Sequence, residues 1–109
     1  MVKAIKLNDA DNVASVFDTV QAGSTVQVLD KRGNSFEVVV NQDVPYGHKF
    51  AIAPIAVGQQ VTKYGEEIGI ASCSIAVGDY VHVHNVESIR GRGDWAKAAE
   101  HGAGKEGEA

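Results

Sequence analysis

Paired cysteines, long apolar runs and excess positive charge are all missing from this 109-residue sequence. Its single thiol, Cys73, has no partner for an internal disulfide, which argues against a disulfide-stabilised secreted domain. No apolar run approaches the roughly 18 residues of a membrane span, and the N-terminus turns polar after Leu7, unlike a signal peptide. We therefore expect a cytoplasmic protein without a membrane partner.

The charge and the missing motifs exclude further classes. A formal net charge of −4 disfavours nucleic acid as a partner, because phosphate contacts need a basic face. The sequence has no phosphate-binding glycine loop, no G-x-S-x-G, no C-x-x-C and no H-E-x-x-H. A chain of this length forms one domain at most.

One phrase recurs along the chain and predicts its fold. Residues 20–26, 55–61 and 75–81 each place an apolar residue, a glycine three positions later and a valine three after that. A β-branched residue that ends a strand, a glycine that turns and a valine that starts the next strand explain this frame. The prediction is a compact all-β domain with an internal pseudo-repeat over residues 1–88.

The composition changes after this domain. Residues 89–109 are polar and rich in glycine, which predicts a tail with at most one helical turn. Trp95 is the aromatic exception in this tail, and we expect it either to dock on a partner or the domain, or to lie half-exposed.

Two histidines, His82 and His84, are the first candidates for chemistry. In a strand, residues two apart point to the same face, so we expect both imidazoles outside, with Val81 and Val83 facing the core. Imidazoles at this spacing could share a metal ion, or one could hold the metal and the other the substrate. The alternative is a pair of structural or solvent-exposed histidines.

Three more residues are candidate substrate ligands. His48 and Lys49 follow a loop with a proline and a glycine, and the Lys49 ammonium could pair with a carboxylate, or Lys49 could be a solvated strand residue. Asn85 offers an amide, although it could equally be a turn residue.

Cys73 is expected to be a buried small side chain without a nearby base. Glu66 and Glu67 are interpreted as an exposed acidic turn, with a catalytic base as the weaker alternative.

Three motifs occur here in one order and carry a resemblance. They are G-H-K at residues 47–49, I-x-x-G-x-x-V-x-K-Y-G-x-x-I-G at 55–69, and A-x-x-x-I-x-x-G-x-x-V-H-x-H-N at 71–85. Together they resemble the amino-terminal SAF domain of altronate and galactarate dehydratases, which has a β-clip fold. The resemblance covers residues 12–86. It extends to stand-alone small subunits of sugar-acid dehydratases and of sulfolactate sulfo-lyase.

The resemblance implies the small subunit of a metal-dependent lyase, inactive alone and completed by a large catalytic subunit. It implies β-elimination of water or sulfite from a hydroxy acid or sulfo acid, with Fe²⁺ or Mn²⁺ held mostly by the large partner. Carried over by motif, the candidate site residues are His48, Lys49, Tyr64, His82, His84 and Asn85. Of these, we expect His82 and His84 to be the catalytic and metal residues, and His48, Lys49, Tyr64 and Asn85 to be substrate ligands.

Two other functions remain open at this point. SAF domains also occur as binding modules without chemistry, here for a sugar acid or a partner protein. A purely structural subunit with surface histidines is the third possibility, and an isolated chain could form a homo-oligomer.

Overall fold

The computed structural model describes residues 1–88 as an all-β fold, which confirms the predicted class. Within that part there is no helix, and so none that could cross a membrane. The strands are β1 (Val2–Lys6), β2 (Val13–Val16), β3 (Thr25–Asp30), β4 (Ser35–Val39), β5 (Lys49–Ala51), β6 (Gln60–Lys63), β7 (Glu66–Ala71), β8 (Tyr80–Val81) and β9 (Val86–Ser88). The predicted tail, its helical turn and Trp95 lie outside the described residues.

The strands form two sheets. A curled six-stranded sheet has the order β4-β3-β1-β2-β5-β8, and a three-stranded sheet has the order β6-β7-β9. β1 and β3 run parallel, whereas every other neighbouring pair is antiparallel. The curled sheet and its small companion agree with the β-clip fold that the resemblance implies.

Both faces of β2, near the middle of the large sheet, are buried. All four residues of β2 are buried, so its sequence is a continuous run of small and apolar residues without alternation. One face of β2, β5 and β8 packs Ala14 and Phe50 into a first apolar core with β1, β3 and β4. The other face packs Val13 and Val81 against the small sheet. These strands therefore join the two cores.

The pseudo-repeat is a turn that occurs four times within residues 1–88, once more than the sequence frame predicts. We call these turns corners 1 to 4, at residues 20–26, 44–50, 55–61 and 75–81. Each begins at an isolated β-bridge, turns through a glycine with positive φ and continues into a strand. The frame missed corner 2 because it ends in Phe50 and not in valine. Its glycine, Gly47, has a φ of 80° like the others.

The corners associate in pairs. Val20 and Val44 exchange two backbone hydrogen bonds of 2.9 and 2.8 Å, and Ile55 and Ile75 exchange two of the same lengths. In each pair, the N–H of the corner glycine also donates to a backbone carbonyl shortly before the partner corner. For example, the Gly78 N–H of corner 4 donates to the carbonyl of Ala51, at the end of β5 before corner 3, at 2.8 Å. The domain is thus built on an approximate two-fold repeat of corner pairs.

Two buried polar residues, Asp11 and Asn12, anchor the β6–β7 hairpin. Asp11 accepts hydrogen bonds from Leu7 and Asn8 through one oxygen, and from the Gly65 N–H in the hairpin turn through the other, at 2.8 Å. The Asn12 amide bonds the backbone of Gln60 and Thr62. These contacts fix the hairpin, and Lys63 at its end, against the large sheet.

Cys73 contradicts its prediction. The thiol is exposed, because β7 ends at Ala71 and residues 72–73 form a bend that leads into corner 4.

Candidate functional site

The register of two short strands brings distant histidines together. Corners 2 and 4 feed β5 and β8, which pair antiparallel with Lys49 opposite Val81 and Phe50 opposite Tyr80. Continuing this register by one residue places His48 opposite His82. Their ring centroids are 4.8 Å apart. The pairing thus brings into contact two predicted site residues that are 34 positions apart in sequence.

Tyr80 lies at the centre of the resulting ring cluster. A hydrogen bond of 2.6 Å joins its hydroxyl to His48 Nδ1. The hydroxyl donates when the imidazole carries its proton on Nε2. The Tyr80 ring is stacked on His82 with centroids 5.6 Å apart and an interplanar angle of 8°. His84 lies 5.5 Å from the same ring. All three histidines of the described chain therefore contact one tyrosine.

The H-x-H pair lies in a turn, and the strand prediction for it is wrong. β8 ends at Val81, because the chain must cross from the large sheet to β9 in the small one. Val83, expected in the core, is 80% exposed. His82 is half-buried and His84 is exposed. Both imidazoles nevertheless contact the Tyr80 ring from this turn.

Asn85 holds this turn together. It is 5% exposed, and its side-chain oxygen accepts from the His82 N–H at 3.0 Å while its NH₂ donates to the Tyr80 carbonyl at 2.9 Å. These bonds are those of a turn residue, the alternative to a substrate ligand. The amide thereby fixes the backbone of Tyr80 and His82, the residues on either side of Val81.

An open cleft of about 380 Å³ adjoins the ring cluster, between the two sheets. Among residues 1–88, its charged or titratable lining residues are Lys49, Lys63 and His82, and no carboxylate of this part lines it. The remaining walls are apolar: Ile68, Val83 and Val86. The cleft therefore presents positive charge beside an apolar surface.

The environment shifts two pKa values toward the neutral forms. Burial, and then the charge of Lys63, lowers the pKa of the Lys49 ammonium. The pKa of His82 is also lowered, first by desolvation of its ring and then by the positive charges of His48, Lys49 and His84. A neutral His82 imidazole can accept a proton, which is what acid–base chemistry requires of it.

Tyr64 does not line the cleft. It occupies the turn of the β6–β7 hairpin with a φ of 55°, followed by Gly65 with a φ of 81°. Positive φ at both central positions is what a two-residue hairpin loop of type I′ needs. The Tyr64 ring lies 5.0 Å from the Lys63 ammonium. Tyr64 therefore touches the site through Lys63.

The described residues do not fit a complete metal site. No group of three or more histidine, cysteine, aspartate or glutamate side chains within residues 1–88 is arranged to hold an ion. Imidazole nitrogens suit iron and similar metals, but His48 Nδ1 is already bonded to Tyr80. A divalent metal here would need further ligands from outside the described residues.

Two residues of the site, Tyr80 and Lys63, were not among the predicted site residues. Tyr80 alternates with His82 and His84 in the sequence, which was the available signal for it. Lys63 belongs to the K-Y-G motif, but only the packing of the small sheet against β5 shows that it shares a cleft with Lys49.

Together the fold and the site define a small β-clip domain with an open cationic cleft beside a tyrosine–histidine cluster. The family model of the altronate/galactarate dehydratase SAF domain matches residues 2–89, and the chain belongs to this family.

Its relatives fall into two kinds. The altronate dehydratase of Escherichia coli K12 is 42% identical over 84 residues, which cover 77% of this chain but 16% of that enzyme. The (2R)-sulfolactate sulfo-lyase subunit alpha of Chromohalobacter salexigens is 38% identical over 88 residues, covering 77% of this chain and 93% of that subunit. That of Paracoccus pantotrophus is 35% identical over 63 residues, or 94% of its length. The chain therefore matches about a sixth of the dehydratase, and nearly all of each lyase subunit.

Proposed function

We propose that this chain is the small subunit of a lyase that performs β-elimination on a hydroxy acid, at a site shared with a large subunit. The observation that carries the proposal is the cleft itself, which joins two ammonium groups and a neutral imidazole and stays open on one side. The similarity to separate alpha subunits of a lyase supports a partner chain that covers the open side. A cytoplasmic location, and assembly of the isolated chain into a homo-oligomer, remain predictions.

In this proposal each side chain has a task that its position allows. Lys49 pairs with the substrate carboxylate, and this charge stabilises the enolate that develops in the reaction. A base, His82 or a group of the large subunit, takes the proton from the carbon beside the carboxylate. On the neighbouring carbon the C–O or C–S bond breaks. Hydroxide then leaves with a proton from an acid as water, or sulfite leaves with the bonding pair, and the enol product becomes a keto acid.

The tyrosine–histidine cluster would hold the proton-transferring groups in place. The Tyr80 hydroxyl orients His48 through their hydrogen bond, and the Tyr80 ring supports His82 and His84. Iron or manganese, if the enzyme uses either, would be bound mostly by the large subunit, since the described residues here do not complete a site.

The test is an assay of the chain with and without the large subunit, using altronate, galactarate and sulfolactate as substrates. We expect no activity from the chain alone and activity from the pair. Replacing both His82 and His84 by asparagine should lower kcat by about 10²–10⁴-fold, the usual contribution of acid–base groups. His101→Asn is the matched control.

Full activity in the double variant, or full activity of the isolated chain, would overturn this proposal. Circular dichroism of the double variant should match that of the unchanged protein, because the exposed or half-buried imidazoles contribute little to the core.

A binding module without chemistry is the second candidate, and one observation favours it. The cleft lining that the described residues supply, two lysines beside an apolar wall, can bind an acid without a metal ion. A binding module would take up a sugar acid with equal affinity in the presence of Mn²⁺ or of a chelator, and would give no product with any large subunit.

A further inference from the structure

Two lysines from different sheets meet in the cleft. Lys49 begins β5 in the large sheet, and Lys63 ends β6 in the small one. Lys49 is half-buried, and the positive charge of Lys63 repels its ammonium group. The hairpin that carries Lys63 is anchored by Asp11 and Asn12, so its end is held beside the large sheet.

Neither ammonium has a counter-ion among the described residues. Within residues 1–88 the ion pair that the structure forms joins Arg32 and Asp9, away from the cleft. Glu66 lies opposite Lys63 in the hairpin register but makes no ion pair with it and does not line the cleft. Lys63 instead has the Tyr64 ring beside it. A ring face attracts a cation without cancelling its charge.

Two neighbouring like charges without a counter-ion repel each other, and a ligand with two negative groups would relieve both. The apolar wall of Ile68, Val83 and Val86 suits the carbon chain between such groups. A volume of about 380 Å³ is in the range of small-molecule sites.

We propose that the cleft binds a small dianion, with one acidic group at Lys49 and the other at Lys63, and so favours dicarboxylates or sulfo-carboxylates over monocarboxylates. As a statement about the substrate, this rests on the proposed lyase function. As a statement about binding, it concerns this chain alone.

The experiment compares two probes with the same six-carbon skeleton: galactarate, with a carboxylate at each end, and galactonate, in which a CH₂OH group replaces one of the two carboxylates. The full 109-residue chain is ¹⁵N-labelled and titrated with each at constant ionic strength, followed by NMR. We expect galactarate to bind about tenfold more tightly, since one additional hydrogen bond to a charged group contributes roughly that factor. Shifts should centre on the Lys49, Lys63 and His82 amides.

Three variants locate the preference. Lys63→Gln should bring the two affinities to within about twofold, whereas Lys63→Arg, which keeps the charge, should retain the preference. Lys31→Gln removes an exposed lysine from the β3–β4 turn and should change nothing. The Lys63 substitutions lie at a hairpin end, and an unchanged spectrum outside the cleft verifies the fold.

Equal affinities for the two probes would overturn the inference, as would a preference that survives in Lys63→Gln. A lyase that forms with the large subunit yet shows no preference for diacids would refute the dianion site and leave the proposed function standing. A dianion preference without any lyase activity would do the reverse.

Discussion

Corners 2 and 3 share a backbone hydrogen bond, but the side chain that follows the glycine makes different contacts in the two corners. In both, the residue after the glycine donates its N–H three positions back, His48 to Pro45 at 3.0 Å and Gln59 to Ala56 at 2.9 Å. In corner 3 the Gln59 side chain also accepts a hydrogen bond from the Ala56 N–H at 2.9 Å and closes the turn. In corner 2, His48 reaches across to the next strand.

The difference follows from one residue. Corner 4 is closed like corner 3, because Asp79 accepts a hydrogen bond from the Ala76 N–H at 2.9 Å. The corresponding residue of corner 2 is Pro45, which has no N–H to satisfy. The side chain after Gly47 is therefore free of a local task, and His48 bonds Tyr80 instead. Corner 2 thus supplies a functional residue where Pro45 removes the hydrogen bond that closes corners 3 and 4.

The largest effect is expected where two corners with similar glycines differ in surroundings. Gly58 and Gly78 have φ values of 84° and 92°, but a Cβ on Gly78 would lie 2.3 Å from the Val39 carbonyl oxygen, whereas one on Gly58 meets nothing within 4 Å. Gly58→Ala should cost about 1–2 kcal/mol of the free energy of unfolding through backbone strain. Gly78→Ala should cost about 3–5 kcal/mol, because the clash adds to that strain.

Urea denaturation of the two variants measures this difference. Equal losses of stability would mean that corner 4 is not held against the strand end at Val39 as the structure shows.

A smaller effect tests whether Pro45 is what frees His48. Pro45→Ala restores an N–H to corner 2, and His48→Gln supplies the side chain that closes corner 3. Each single change should destabilise the protein, the first through chain entropy and the second through the lost bond to Tyr80. In the double variant the new hydrogen bond should recover about 0.5–1 kcal/mol relative to the sum of the singles.

A double-mutant cycle by chemical denaturation gives this coupling energy directly. Additive single effects, within about 0.3 kcal/mol, would show that the local hydrogen bond does not decide how the side chain is used.

The smallest expected effect concerns His82, which follows corner 4 and contacts His48 of corner 2. Its pKa lies below the ordinary value of 6.5, in part through the charge of Lys49. Between the lowered pKa of the folded protein and 6.5, the unfolded chain binds more protons at His82 than the folded protein does. The free energy of unfolding therefore falls as the pH drops from above 6.5 through the folded pKa. Lys49→Gln should raise the pKa of His82 toward its ordinary value and weaken this pH dependence.

NMR titration of the imidazole protons in the presence of a chelator measures this pKa, and Lys31→Gln serves as the control. A pKa of His82 that is the same in both variants would contradict an electrostatic influence of Lys49.

Sequence reasoning reached the fold class, three of the four corners and the relation to a lyase family, and it selected His48, Lys49 and His82, which the structure brings together. It misplaced Val83 and Cys73 because strand alternation was extended beyond the points where β8 and β7 end. It left Asn85 as either a substrate ligand or a turn residue, and the structure shows the amide bonded to the backbone of its own turn. A strand of two residues leaves too short a pattern to recognise.

The corners are properties of the sequence alone, because a glycine at positive φ and the bond that closes the turn involve residues within seven positions of each other. The site is different. Tyr80 meets His48 only through the β5–β8 register, and Lys63 meets Lys49 only because the two sheets pack together. Contacts between residues so far apart depend on how the whole chain packs, and no local pattern of residues encodes them.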